Sequence, residues 1–381
     1  MLLTDLPPEI HDKIAEHLQP TYSDDGDKAG IQSLKNLALT CSSVRLPAQR
    51  TLLSSIKLTL PSDKLQHLLE NLRSKPEYGR YVRGVAIEET RSMEPQVYSR
   101  QGYGQQISAL ALILLASPQM EAAIATDIAD LMFLFSTLTN LSRLHINTLL
   151  HPSRGIMSAI MLSDSVPFKS SLEHFEIRDI RTCVSEILIP ILTFPRLRTL
   201  KVGHLGQGSD PGEANLGNHN LSRSLTLAHL GFYHCQLFLS FFESILSCCP
   251  ALKSLDCSMP IPADHSVVWG QFDSNSIGIA LVSANTPISM TYINTALSRC
   301  KDTLSTLHLN TDKQIWIAHD GTKLNLRSFT ALADLSCPSS LFFHPSHFGA
   351  ERAGFYELLP PSLERFTVCH LTLPTSEPFI D

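Results

Sequence analysis

The chain has 381 residues, of which 43% are hydrophobic and 17% charged, so it can bury a large core and is not mainly disordered. Its formal net charge of -6 gives it no overall attraction for a phosphate backbone, and nucleic acid is not an expected partner. The longest uninterrupted apolar run, residues 109–116, is far shorter than the roughly 20 residues that a membrane-spanning helix needs, so no membrane association is expected.

The beginning of the chain and its cysteines indicate a compartment. The first residues include the acidic Asp5 and Glu9 and hold no apolar stretch of signal-peptide length. The nine cysteines are odd in number, form no C-x-x-C motif and fall largely at expected core positions, where a free thiol behaves as a small hydrophobe. We therefore expect a reducing setting, cytoplasmic or nuclear.

Residues 1–56 have the apolar spacing of helices. A stripe with one apolar residue every four positions predicts a first short helix, which Asp5 can cap and Pro7 and Pro8 can begin. The stripe consists of Leu6, Ile10, Ile14 and Leu18. The polar stretch Thr21 to Gly30 predicts a flexible loop. A second helix is predicted over Leu34 to Arg45, and a third over Ala48 to Ser55.

The order of these residues resembles a known module. The chain reads Leu6-Pro7-Pro8-Glu9-Ile10, then Ile14 and Leu18, then Leu34-x-x-Leu37-Ala38-Leu39-Thr40-Cys41-x-x-Val44-Arg45-x-x-Ala48. This order is similar to an F-box, the helical module that hands a protein to a Skp-type adaptor and a cullin scaffold. The resemblance implies that the adaptor is bound by Leu6, Pro7, Glu9, Ile10, Ile14, Leu37 and Cys41. The alternative is an ordinary three-helix cap on the domain that follows.

The rest of the chain, residues 57–381, repeats an apolar-x-x-apolar-x-apolar pattern that predicts nine short strands. The nine copies are Val82/Val85/Ile87, Leu141/Leu144/Ile146, Leu172/Phe175/Ile177, Leu197/Leu200/Val202, Leu227/Leu230/Phe232, Leu252/Leu255/Cys257, Leu304/Leu307/Leu309, Leu332/Leu335/Cys337 and Leu363/Phe366/Val368. Most starts are 25 to 31 residues apart. A gap of 52 residues predicts a degenerate unit between Ser258 and Thr303, and a gap of 59 after Val82 fits two units.

Helical stripes lie just before several of these strands. They run over Ile124 to Phe135, Val184 to Leu192, Phe238 to Cys249 and Ile293 to Cys300. A helix and a short strand in each unit predict a right-handed α/β solenoid whose stacked units share one core and one parallel sheet. The motifs Phe194-Pro195-x-Leu197-x-x-Leu200-x-Val202 and Cys249-Pro250-x-Leu252-x-x-Leu255-x-Cys257 resemble degenerate leucine-rich repeats of the kind that follows many F-boxes. The expected fold class is therefore α/β, with an F-box-like module followed by a leucine-rich-repeat-like solenoid.

No motif for catalysis or for a cofactor stands out. The chain has no P-loop, nucleophile elbow, H-E-x-x-H or zinc spacing, and the glycines of Gly203 to Asn220 are typical of a surface insertion. The histidine pairs His229/His234 and His344/His347 lack a complete ligand set for a metal. We therefore expect no catalytic residues, no metal and no cofactor. A hydrolase would need a buried polar constellation that the sequence does not show.

The expected function follows from the surface of the sheet. Side chains alternate along a strand, so positions 3, 5 and 7 of each motif point away from the core and suit recognition of a protein or peptide. The candidate substrate-binding residues are Arg143, His174, Arg178, Tyr233 and His308. With the F-box resemblance, they imply a non-catalytic substrate-recognition adaptor of a Skp-cullin-F-box ubiquitin ligase, whose protein substrate the sequence leaves unknown. The alternative is a stand-alone repeat scaffold without a ligase role.

Overall fold

A computed structural model gives the fold for most of the predicted elements. The structure describes residues 5–18, 26–60, 63–89, 129–147, 166–178, 190–203, 226–233, 235, 239–258, 266–267, 280–283, 289–310, 315–316, 322–342 and 355–369. Contacts divide the chain into two compact units. The first consists of Met1–Glu94 and Ile113–His174, and the second of Pro95–Leu112 and Phe175–Asp381.

The described residues include thirteen strands. In chain order they are β1 (Ser55–Leu60), β2 (Gly84–Glu89), β3 (Arg143–Asn147), β4 (His174–Arg178), β5 (Thr199–Gly203), β6 (His229–Tyr233), β7 (Ser254–Ser258), β8 (Ser266–Val267), β9 (Ala280–Ser283), β10 (Thr306–Asn310), β11 (Ile315–Trp316), β12 (Asp334–Pro338) and β13 (Arg365–Cys369). Ten of them form a parallel sheet in the order β1-β2-β3-β4-β5-β6-β7-β10-β12-β13. Strands β11, β9 and β8 form a separate small sheet. The fold is thus α/β with a ten-stranded parallel sheet.

All nine predicted strands are confirmed, and from β5 to β13 adjacent strands of the large sheet pair with equivalent motif positions opposite each other. In the second unit, Leu200 lies opposite Leu230, Leu230 opposite Leu255, Leu255 opposite Leu307, and Leu307 opposite Leu335. Each of these leucines is at most 2% exposed, and a buried leucine contributes about 1.5–3 kcal/mol relative to an exposed one. The central leucine of each motif therefore builds one row of core side chains across neighbouring strands.

Two predictions about the long gaps are wrong. Strand β7 pairs directly with β10, with Leu255 opposite Leu307, so no strand of a degenerate unit lies between them. Part of the intervening sequence forms β8 and β9 in the small sheet instead. Likewise, β2 pairs directly with β3, with Val85 opposite Leu144, so the gap after Val82 adds no strand to the sheet. Both gaps are insertions between adjacent strands rather than extra copies of the strand motif.

Three helices open the first unit. They are α1 (Pro8–His17), α2 (Gly26–Thr40) and α3 (Ser42–Ser54), and they are followed by α4 (Asp63–Ser74) and a 3-10 helix, Pro76–Tyr81. The three share a small core of Ala15, Leu34, Ala38 and Ala48, against which Leu37 is packed. Strand β1 begins directly after α3. It was not predicted, although Leu53-x-x-Ile56-x-Leu58 carries the repeat pattern.

The boundaries of these helices correct three details of the sequence analysis. The N-cap of α1 is Pro7 rather than Asp5, because the chain turns into the helix at Pro8. Helix α2 begins at Gly26, inside the predicted loop, because burial of Leu34 and Ala38 outweighs the low helix propensity of its glycines. The break between the second and third helices falls at Cys41 rather than between Arg45 and Ala48 as predicted, and Cys41 has extended backbone angles, φ -157° and ψ 162°.

Helices precede several strands as predicted. Residues 129–137 and 190–192 are helical, and the rest of those two stripes, residues 124–128 and 184–189, lies outside the described residues. Helix α5 (Leu239–Cys248) and helix α6 (Met290–Leu297) confirm the other two. Within the described part of the chain, no helix combines the length and apolar character that spanning a membrane requires.

Side-chain hydroxyls connect successive repeats. A serine or threonine just before the first leucine of a motif donates a hydrogen bond to the carbonyl of the equivalent leucine in the preceding motif. The three cases are Ser171 to Leu141 at 2.8 Å, Thr226 to Leu197 at 2.9 Å, and Ser362 to Leu332 at 2.8 Å. The same contact therefore recurs at the same motif position in both compact units.

Candidate functional site

The strands of the second unit place polar side chains on one face of the sheet. In β7, Leu255 and Cys257 are buried, whereas Ser254, Asp256 and Ser258 are partly exposed. Strands β10 and β12 show the same alternation, because successive side chains of a strand point to opposite faces. The predicted outward positions are therefore confirmed for β7 and β10, whereas in β12 Asp334 and Ser336 are partly exposed but Pro338 is buried. The charged residues at these positions come close enough to interact.

Four charged or titratable side chains lie in a row across β7, β10, β12 and β13. His308 lies between two carboxylates, with Nδ1 3.9 Å from Oδ2 of Asp256 and Nε2 3.6 Å from Oδ2 of Asp334. Arg365 Nη2 lies 2.8 Å from the same oxygen of Asp334. Acidic and basic groups thus alternate along the row, which we call the charged row: Asp256, His308, Asp334 and Arg365.

The carboxyl of Asp256, in the charged row, has a raised pKa. Burial raises the pKa of its carboxyl, while the charges of His308 and Lys201 and a hydrogen bond donated by Asn310 oppose that rise. The Asn310 Nδ2 donates to Oδ1 of Asp256 at 3.0 Å. A half-buried carboxylate with a fixed amide donor is a directional acceptor for a group on a partner molecule.

Tyr233, in β6, supplies the aromatic part of this face. A Cβ added at Gly231 would lie 3.0 Å from Cε2 and 3.0 Å from the hydroxyl oxygen of Tyr233, so the ring covers the glycine. Burial raises the pKa of Tyr233, and the charges of Asp256 and Glu176 add to that rise, whereas Arg178 opposes it. A partly buried aromatic ring among charged groups is typical of a recognition hot spot.

Arg178 and Glu176 form the other end of this surface in the second unit. Nε and Nη2 of Arg178 lie 2.8 Å and 2.7 Å from Oε1 of Glu176. The Arg178 side chain is 52% exposed, so its remaining donors face solvent. Because the pair is exposed, its contribution to stability is small, and its guanidinium remains available to a partner.

The structure brings together three of the five candidate substrate-binding residues. Arg178, Tyr233 and His308 belong to the second unit, where the charge of Arg178 acts directly on Tyr233 and both Tyr233 and His308 interact with Asp256. Arg143 and His174 belong to the first unit, Arg143 exposed and His174 partly exposed. Asp334 was missed by the sequence analysis, although its motif position after Leu332 is an outward one.

A second surface lies on the opening helices. Of the candidate adaptor-binding residues, Pro7, Glu9 and Ile10 are exposed, with Ile10 at 37%, and the others are partly exposed. Those others are Leu6, Ile14, Leu37 and Cys41.

Sequence reasoning missed exposed apolar side chains on the same helices. Leu39 is 80% exposed, and Ile31 and Leu46 are 36% and 44% exposed. Ile31 precedes the buried Leu34 by three residues and Ala38 by seven, so it lies at the exposed margin of the face that they bury, whereas Leu39 points away from that face. Apolar side chains left in solvent on a small helical module are available for contact with a protein partner.

Comparisons with known proteins add no assignment. No protein-family model matches the chain, and no curated protein matches it significantly. Among the described residues, no group of three or more histidine, cysteine, aspartate or glutamate side chains could hold a metal ion. The function of the chain is therefore inferred from these two surfaces.

Proposed function

We propose that the chain is the substrate-recognition subunit of a Skp-cullin-F-box type ubiquitin ligase. Residues 1–56 act as an F-box that binds a Skp-type adaptor, and residues 57–381 act as a degenerate leucine-rich-repeat solenoid that binds a protein substrate. The subunit is non-catalytic and works in the cytoplasm or nucleus. It accelerates ubiquitin transfer by holding the substrate at high effective concentration near the ubiquitin-loading enzyme.

The observation that carries the proposal is the apolar surface of the opening helices. Ile10 is exposed next to Pro7 and Glu9 at the start of α1, and Leu39 is almost fully exposed just before Cys41. Each belongs to the stretch whose order resembles an F-box. Burying such side chains against an adaptor would remove apolar area from water, which contributes about 25 cal/mol per Å².

The polar face of the sheet supports the substrate-binding half of the proposal. Its charged row and Tyr233 place both signs of charge and an aromatic ring on a sheet face. Interfaces combine such aromatic anchors with a polar rim, and charge complementarity sets their specificity. The partner best suited to this surface is a folded or extended protein segment that carries both acidic and basic side chains.

A stand-alone repeat scaffold is the second candidate, and one observation favours it. Leu37 and Leu18 pack against the core of Ala15, Leu34, Ala38 and Ala48, so part of the F-box-like sequence already stabilises the module itself. In a scaffold, the opening helices would serve only as a cap on the first strand. The two functions differ in one measurable property, which is binding of a Skp-type adaptor.

The test is affinity purification of the tagged full chain from a cell extract that contains Skp-type adaptor and cullin. The variant Leu6→Ala/Pro7→Ala removes two of the F-box-like side chains at the start of α1. Tyr292→Ala is the matched control, because it removes a side chain that is 66% exposed on α6 of the second unit. We expect adaptor and cullin with wild type and with Tyr292→Ala, and at least about tenfold less with the double variant.

Two results would contradict the ligase proposal. Absence of the adaptor from the wild-type sample would leave the scaffold function. Equal recovery by wild type and the double variant would show that the F-box-like residues do not bind the adaptor. Circular dichroism of each variant establishes whether it has kept the wild-type fold.

A further inference from the structure

A pocket of about 320 Å³ lies within the first unit, and none of the candidate adaptor-binding or substrate-binding residues lines it. It is lined by side chains of α1, α3, the 3-10 helix Pro76–Tyr81 and the segments that lead into β2 and β3. This volume is within the range of small-molecule sites, which is about 300–1,000 Å³. It therefore has room for a small ligand.

Three arginines line this pocket. Arg50 comes from α3, Arg80 from the 3-10 helix and Arg83 from the residue before β2. Arg50 and Arg80 both lie over the ring of Tyr81, with their guanidinium carbons 5.2 Å and 5.1 Å from its centroid. Three cations around one cavity repel one another, so an anion in the cavity would lower the electrostatic energy of the unit.

Tyr81 organises two of the arginines. Arg80 Nη2 lies 3.0 Å from the hydroxyl oxygen of Tyr81, which accepts its hydrogen bond. Hydrogen bonds from Arg80 and Arg50 lower the pKa of Tyr81, because both guanidinium groups favour negative charge on that oxygen. The ring and its hydroxyl thus fix the two guanidinium planes before any ligand arrives. Such preorganisation reduces the entropy that binding would cost.

One donor of this cluster is unsatisfied. The Nε of Arg50 is buried and has no hydrogen-bond partner. A buried donor without a partner costs about 1–3 kcal/mol, and such atoms call for an explanation, of which an absent ligand or water is one. The atom belongs to a side chain that lines the pocket, so an oxyanion in the pocket is a suitable acceptor.

The pocket also has two acidic lining residues. Asp12 and Glu16 of α1 face the same pocket, and the ion pairs among the described residues include none between these carboxylates and the three arginines. The pocket therefore offers both cationic donors and carboxylate acceptors. A ligand that carries an anionic group together with hydroxyl or ammonium donors would match both kinds of group.

We propose that this pocket binds a small phosphate monoester. Its phosphate would lie on Arg50, Arg80 and Arg83, and its hydroxyl or ammonium groups would face Asp12 and Glu16. A phosphate offers three terminal oxygens and nearly two negative charges, which match several guanidinium forks better than the single charge of a carboxylate does. The bound ligand would link α3 to the start of β2 and so stabilise the first unit.

The experiment is isothermal titration calorimetry on the full chain with glycerol 3-phosphate, glycerol and inorganic phosphate as probes. We expect saturable binding of glycerol 3-phosphate, weaker binding of inorganic phosphate and none of glycerol. Arg83→Gln should weaken the binding of glycerol 3-phosphate at least about tenfold, since it removes one of three charges facing the phosphate. Arg327→Gln, at an exposed turn of the second unit, is the matched control and should bind as wild type does.

Arg50→Gln tests the buried donor, and it too should weaken the binding of glycerol 3-phosphate. Because Arg50 contacts Tyr81 and could be needed for folding, Arg83→Gln keeps the proposal testable if Arg50→Gln does not fold. Failure of glycerol 3-phosphate to bind wild type would overturn the proposal, as would equal affinity in wild type and Arg83→Gln. Tighter binding of inorganic phosphate than of glycerol 3-phosphate would overturn the assignment of a monoester.

Discussion

The ring of Tyr233 lies directly over Gly231, two residues earlier on the same face of β6. A Cβ at position 231 would be 3.0 Å from Cε2 of that ring and 3.0 Å from its hydroxyl oxygen, closer than an ordinary van der Waals contact allows. The absence of a side chain at Gly231 is therefore what lets the tyrosine lie against the sheet, partly buried among Asp256, Glu176 and Arg178.

Gly231→Ala should move the Tyr233 ring outward and lower the raised pKa of its hydroxyl, because burial is the main cause of that rise. The measurement is a spectrophotometric titration of tyrosine ionisation, with Tyr233→Phe used to assign the signal. Gly203→Ala is the control, since its Cβ would meet Arg178 at 3.5 Å, an ordinary contact. A Tyr233 pKa that is unchanged in Gly231→Ala would contradict this account of the face.

Asp256 should make stability depend on pH. Burial raises its pKa in the folded state above the ordinary value of 3.8, so the fold retains this proton to a higher pH than the unfolded chain does. Its contribution to stability is therefore present below the ordinary value and is lost as pH rises through the folded pKa. Relative to wild type, Asp256→Asn should gain unfolding free energy between about pH 4 and pH 7.

Urea denaturation of both proteins across that range measures the effect of Asp256. Asp302→Asn removes the same charge from an exposed turn of the same unit and is the matched control. If the two variants differ from wild type by the same amount at every pH, burial of Asp256 is not the source of the pH dependence.

The hydroxyl contacts between repeats should stabilise the second unit. Thr226→Val keeps the shape of the side chain and removes its hydrogen bond to the carbonyl of Leu197. We expect a loss of about 1 kcal/mol in the free energy of unfolding, the usual net value of one such bond. Thr330→Val, at another exposed position of the second unit, is the control. Equal effects of the two substitutions in urea denaturation would show that the contact with Leu197 contributes nothing.

Cysteine reactivity should separate Cys41 from the core thiols. A hydrogen bond with Ser43 at 3.1 Å is the main cause that lowers the pKa of Cys41, whereas burial raises the pKa of Cys249 and of Cys300 to about 12. Because the thiolate is the reactive form, iodoacetamide should label Cys41 at least about tenfold faster than either core cysteine in the native protein. Mass spectrometry of the digested protein measures each rate, and similar rates would contradict the packing described here.

Much of the strand placement could be predicted from one pattern. The spacing apolar-x-x-apolar-x-apolar located nine strands, because the same apolar positions must fill the core in every copy of the motif. The alternation along each strand also indicated which side chains leave the core. Strand β1 was missed because Leu53, the first residue of its pattern, lies within α3.

The pattern could not predict how the insertions fold or which side chains meet across neighbouring elements. A gap of 52 residues has the length of two repeats of the motif, but two described segments within it, β8 and β9, belong to a separate small sheet. The charged row depends on strand register, which places Asp256 opposite His308, and register is set by the loops as well as by the strands. The pocket of three arginines combines residues far apart in sequence, so it had no local motif to reveal it.

The central claim is that the opening helices bind a Skp-type adaptor, and the most direct measurement is calorimetric titration of the full chain with purified adaptor. The account predicts saturable one-to-one binding by wild type and a loss of at least about tenfold, or about 1.4 kcal/mol, on Ile10→Asp. Tyr356→Ala, which removes a side chain that is 67% exposed in the second unit, should bind as wild type does. No binding by wild type, or equal binding by Ile10→Asp, would contradict it.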